Sequence, residues 1–92
     1  MDSHRAVVSV LGVDRIGIIA RVANVLADAQ VNIVDISQTV MDDFFSMILI
    51  ADLGPMSLSF EELRARLVAT GEALQLRIDI QHDSAFRFMH RI

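Results

Sequence analysis

Ninety-two residues make one domain, with room for a single core and none for a separate catalytic domain. Hydrophobic residues are 53% of the chain and the mean hydropathy is +0.48, yet no apolar run reaches the roughly 20 residues of a membrane span, and the opening Met1 to Arg5 is not a signal peptide. A net charge of −4 disfavours nucleic acid, which rewards a basic face, and the lack of cysteine removes disulfide, zinc-thiolate and thiol-nucleophile chemistry and fits a cytoplasmic protein.

The apolar period changes along the chain in an order that implies a fold. Ala6 to Leu11 is a short β-type run ended by Gly12. From Gly17 to Ala29 the residues Ile18, Ile19, Val22, Val25, Leu26 and Ala29 recur at helical spacing, with Arg21, Asn24 and Asp28 between them. Residues 31–41 are β-branched and extended, Asp42-Asp43 makes a turn, and Phe44 to Leu53 is a second strand, which together read as a hairpin. Gly54-Pro55 breaks the chain. Ser59 and Glu62 have capping-box spacing, and Phe60, Leu63 and Leu67 place one stripe on a helix predicted to run to about Gly71. Leu74, Leu76, Ile78 and Ile80 then alternate with Gln75, Arg77, Asp79 and Gln81, the pattern of a strand wet on one face. The order β-α-β-β-α-β is the split βαβ pattern, an α+β ferredoxin-like sandwich: four antiparallel strands with both helices on one face. One domain spans 1–92, with a tail at 83–92 in which Phe86, Met89 and His90 have helical spacing.

The strand from Phe44 to Ala51 is apolar on both alternating sets: Phe44, Ile48 and Ile50 on one face, Phe45, Met47, Leu49 and Ala51 on the other. Two helices cover only one face of a sheet, so a second cover is expected. The candidates are the tail and another copy of the chain, and a homo-oligomer is the expectation.

Several functions share this topology. A copper- or zinc-delivering domain needs two cysteines in the first βα loop, and there are none. An RNA-recognition sheet needs stacking aromatics on its first and third strands within a basic surround, whereas Val7 to Leu11 has no aromatic. An acylphosphatase uses an arginine in the first loop and an asparagine on the central hairpin strand. Arg15 stands in that loop, but residues 44–53 contain no asparagine.

The first loop reads Gly12, Asp14, Arg15, Ile16, Gly17, Ile18, and Asn32-Ile33 opens the second strand. With Asp35-Ile36-Ser37-Gln38-Thr39, Phe44-Phe45, Phe60-Glu61-Glu62-Leu63 and Met89-His90-Arg91-Ile92, the chain resembles the stand-alone bacterial and archaeal ACT-domain proteins over its whole length. In its first loop it is also similar to the N-terminal modules of the glycine-cleavage repressor and of formyltetrahydrofolate hydrolase. The resemblance implies a regulatory module with no enzyme activity and no cofactor, which binds an amino acid between subunits and acts on a partner protein. It places Asp14 and Asn32 at ligand-contacting positions. A position that is polar in some amino-acid binders is Gly12 here.

A free amino acid is a zwitterion, and the loop offers something to each end. Its carboxylate can sit on the N–H groups of residues 15–18, helped by the helix dipole, while Asn32 with Asp14 or Asp35 can accept from its ammonium. Each residue also has a structural reading. Gly12 and Gly17 can close the turn and pack helix on strand, Asp14 can cap the helix, and Arg15 can be a solvated loop residue or an interface ion pair. Asn32 can tie the helix-to-strand turn, and Asp35 with Gln38 can protect an edge strand. The five methionines read as core filler. His82, Asp83 and His90 lack the short spacing of a metal site. The rival function class is a constitutive interaction module without a ligand.

Overall fold

Alternation within the first strand sets the layers. The computed structural model describes residues 4–14 and 16–84, so Arg15 and the tail positions Phe86, Met89 and His90 lie outside the described residues. Strand β1 (Arg5–Val13) lies inside the sheet, antiparallel to both neighbours. Its Ala6, Val8 and Val10 are buried opposite Ala51, Leu49 and Met47 of β3 (Phe44–Asp52), and Val8 and Val10 also face Ile80 and Ile78 of β4 (Leu76–His82). Strand β2 (Asn32–Met41) pairs antiparallel with β3 alone, giving the order β2-β3-β1-β4. This is the βαββαβ ferredoxin-like fold that the apolar periods imply.

Helix α1 (Ile18–Asp28) turns Ile18, Val22 and Leu26 onto this sheet face, at the i, i+4, i+8 spacing that keeps three side chains in one row. Helix α2 (Phe60–Leu74) adds Leu63, Leu67, Gly71 and Leu74, and both helices join one hydrophobic core. Burying each such leucine contributes about 1.5–3 kcal/mol. Ser59 caps α2, its Oγ accepting from the Glu62 N–H at 3.1 Å, and Glu61 and Glu62 favour the positive end of the helix.

Helix α2 passes the glycine expected to end it. Gly71 is buried inside the helix, where a Cβ would lie 2.8 Å from the Leu76 carbonyl oxygen. The glycine is there so that β4 can approach closely, and the turn comes later, at Gln75 with φ +58°. Leu74, expected at the start of the last strand, therefore closes the helix instead.

Two surfaces lack cover among the described residues. All ten residues of β2 are exposed, and its outer edge pairs with no described strand. On the helix-free face Phe44 is 57% and Ile48 38% exposed, although Val7 on that face is buried. Among the described residues nothing covers the Phe44 end of β3, and the tail, one of the two covers expected there, lies outside them. No described helix is long and apolar enough to cross a membrane.

Candidate functional site

Two glycines shape the first loop for different reasons. Gly17 has φ +89°, in the left-handed region, and a Cβ built there would meet nothing within 4 Å. Backbone conformation, not crowding, calls for glycine at this position. At Gly12 a Cβ would fall 2.5 Å from Cδ2 of Leu76, so a larger residue there would make the end of that β4 side chain shift. Crowding against a strand is therefore a property of Gly12 and not of Gly17.

The loop delivers the chain into an α1 N-terminus that lacks a cap. Gly17 is the N-cap and makes no side-chain cap bond, and the first turn holds no acidic residue. The contrast with α2, filled by Ser59, Glu61 and Glu62, is direct. The free N–H groups at the start of α1 leave a partial positive charge facing outward. Asp14 does not cap this helix. Its own N–H donates to the Asp43 carbonyl oxygen at 2.8 Å, and among the described residues its carboxylate has no hydrogen-bond partner.

A cavity of about 430 Å³ opens beside this terminus, lined by Asp14, Gly17, Ile18, Ile19, Ala20 and Phe45. Among the described residues Asp14 is the one charged member of that lining. Ile16, at the loop tip, is fully exposed. Ile19, Ala20 and Phe45 are members that sequence reasoning missed. The signal for Ile19 was present: it sits one residue, or 100° of turn, off the buried row of Ile18, Val22 and Leu26.

Asn32 and Asp35 are not brought to this cavity within one chain. Asn32 heads β2 opposite Asp52, whereas the first loop adjoins the other end of that strand, where Met41 pairs with Phe44. Nine residue steps separate Asn32 from Met41, a span of about 30 Å. The Asn32 side chain is exposed and makes no hydrogen bond among the described residues. The helix-to-strand turn is closed by backbone instead: Gln30 takes φ +64°, its N–H reaches the Ala27 carbonyl at 2.9 Å, and Val31 N–H reaches Leu26 at 2.9 Å. Asp35 pairs with Ile50, which puts it on the helix-free face, and its Oδ1 accepts from the Ile36 N–H at 2.8 Å.

A second, larger hollow of about 690 Å³ lies on the helix-free face at the hairpin end, lined by Leu11, Thr39, Met41, Asp42, Phe44 and Ser46. Among the residues weighed as metal ligands, His82 stacks on Phe60 with ring centres 4.0 Å apart, and His90 lies outside the described residues. The described residues contain no cluster of histidine or carboxylate side chains able to hold a metal ion.

Comparison with known proteins matches residues 4–81 to the model of the ACT domain family. A UPF0237 protein of Listeria monocytogenes is 44% identical over 88 residues, which cover 96% of this chain and 99% of that protein. Among solved structures, an ACT domain protein from Streptococcus pneumoniae superposes with a TM-score of 0.78 at 36% identity, covering 89% of this chain and 92% of that one. The ligand-free regulatory subunit of aspartate kinase from Thermus thermophilus shares the fold, with a TM-score of 0.66 at 19% identity over 87% of this chain and 52% of that one.

Proposed function

The chain belongs to the ACT domain family, and from that footing we propose that it binds an α-amino acid at the seam of a homodimer and regulates a partner protein through that dimer. Family membership supports a ligand-sensing regulatory role in general, and the likeness to a protein named as a kinase regulatory subunit supports the same fold-level reading. The observation that carries the finer proposal is the uncapped N-terminus of α1, set beside a cavity that Asp14 lines with a carboxylate free of hydrogen-bond partners among the described residues.

The two ends of a zwitterion suit this arrangement. The ligand carboxylate takes the N–H groups at the start of α1, and Asp14 takes the ammonium. A second copy completes the site. A ten-residue strand with an edge that pairs with no described strand invites antiparallel pairing with its own copy, and such pairing lays the 32 end of one strand against the 41 end of the other. The partner's Ile33, opposite Ala51 on the helix side, then stands near the turn that holds Asp14 through Asp43. Asn32, opposite Asp52, and Asp35, opposite Ile50, keep to the helix-free face, so the proposal leaves both out of the site. Arg15 belongs to the same loop and can add charge for the ligand carboxylate.

Regulation follows by linkage. A ligand that touches both copies binds the paired state better than the separated one and shifts the equilibrium by that difference. Edge pairing leaves the helix-free face available to whatever protein reads the state.

A thermal-shift screen of the twenty amino acids tests the proposal. A ligand at a hundred times its Kd stabilises the folded dimer by about 2.7 kcal/mol. A flat screen on an intact dimer would establish the rival reading, an interaction module without a ligand.

A further inference from the structure

We infer that the amino acid held at this seam has an aliphatic side chain of the valine, leucine and isoleucine class. The inference rests on the amino-acid reading above and adds the identity of the side chain. Once Asp14 and the helix N–H groups are assigned to the ammonium and carboxylate, the side chains left in the cavity lining among the described residues are Ile18, Ile19, Ala20 and Phe45. None of these four can donate or accept a hydrogen bond.

The surround that edge pairing adds is of the same kind. Val40 lies opposite Phe45 in the register of β2 on β3, so it shares the helix side of the sheet, and it is 54% exposed. Ile33 lies opposite Ala51, whose side chain is buried in the helix-side core, and Ile33 too is exposed. A two-fold axis perpendicular to the sheet keeps the helices of both copies on one side. The partner's Ile33 therefore comes to the same side as Phe45 and Val40, at the loop end of the strand.

A serine, threonine or asparagine side chain enclosed there gives up its bonds to water and receives none in return. A branched aliphatic side chain loses nothing polar and covers carbons of Ile19, Val40 and the partner's Ile33 that are otherwise wet. Selectivity of this origin favours the apolar ligand by tens of fold, because each methylene in an apolar pocket is worth roughly 10–200-fold. The cavity, at about 430 Å³, has room for a whole amino acid of this size.

Calorimetric titration of the full chain with L-valine, L-leucine, L-isoleucine, L-serine, L-threonine and L-asparagine tests the inference. The expected result is binding of at least one aliphatic ligand ten-fold or more tighter than any of the polar three. Ile19→Ser, at a 40% exposed position, should keep the unliganded melting temperature and reduce that preference at least five-fold. Tighter binding of a polar amino acid would overturn the aliphatic assignment and leave the amino-acid reading standing. An unchanged preference in Ile19→Ser would equally overturn it, because the cavity wall would not then be choosing the ligand. Failure of all six to bind, together with a flat thermal-shift screen of the twenty, would remove both.

Discussion

The backbone N–H of Asp14 donates to the carbonyl oxygen of Asp43 at 2.8 Å, tying the loop before α1 to the turn between β2 and β3. Any displacement of the hairpin tip is thereby carried to the loop, and the edge strand on which the proposed dimer would pair ends at that tip. Inserting one glycine between Asp42 and Asp43 should break this tie. The expected outcome is a chain that folds and melts within a few degrees of the parent but loses ligand-induced stabilisation in a thermal-shift assay.

Assembly can be tested on the edge itself. Ile36 lies on the exposed strand β2, is 40% exposed, and sits mid-strand where a paired copy must approach. Ile36→Lys places a charge at the seam, the device natural edge strands use to refuse partners. Light scattering at micromolar concentration should report a dimer for the parent and a monomer for Ile36→Lys, with the circular dichroism of the fold retained. A dimer that survives Ile36→Lys would move the interface to another surface.

Gly17 gives a prediction about strain without crowding. Because a Cβ there meets nothing within 4 Å and φ is +89°, Gly17→Ala should cost about 1–2 kcal/mol through backbone conformation alone. The urea midpoint of the alanine variant measures this. The converse change is available at Gln30, which holds φ +64° at the end of α1. Gln30→Gly relieves the left-handed cost but adds freedom to the unfolded chain, and a net gain of up to about 1 kcal/mol is expected in the same assay.

Asn32 separates a binding role from a structural one. Its side chain makes no hydrogen bond among the described residues, so Asn32→Ala should leave the unliganded melting temperature unchanged. Because Asn32 faces the helix-free side, away from Ile33, the same variant should also leave ligand affinity unchanged. A loss of affinity of about 1–3 kcal/mol in Asn32→Ala would put the amide back in the site.

The fold was readable because the periods were clean. Alternation in β1, β3 and β4 and the i, i+4 row of α1 are local signals, and the tertiary structure respects them. Gly71 was misread as a stop because its reason for being glycine is the Leu76 carbonyl, a neighbour five residues on that only the packed helix–strand corner brings near. The site was half readable. The glycine-bracketed loop is contiguous, so its residues had to lie together. The distance from that loop to Asn32 depends on which end of an antiparallel edge strand each occupies, and that is a property of sheet order, invisible in spacing. Ile19 and Phe45 went unnoticed as cavity walls because apolar residues in amphipathic elements read as core, and only exposure tells the difference.

The separation of the Asp14 loop from Ile33, which adjoin opposite ends of the edge strand, has a genetic consequence. On the proposed pairing a dimer owns two sites, and each takes its loop from one copy and its Ile33 wall from the other. A chain carrying Asp14→Ala spoils one site, and a chain carrying Ile33→Asp spoils one site; either variant alone, in a homodimer, spoils both. Mixed together, the two defective chains form heterodimers in which both lesions fall in the same site, while the other site is wild type throughout. Two preparations that each fail to bind should therefore regain up to a quarter of the parent's capacity on mixing, since random exchange makes half the dimers mixed and each of those holds one intact site. A site built within one chain could not show such rescue.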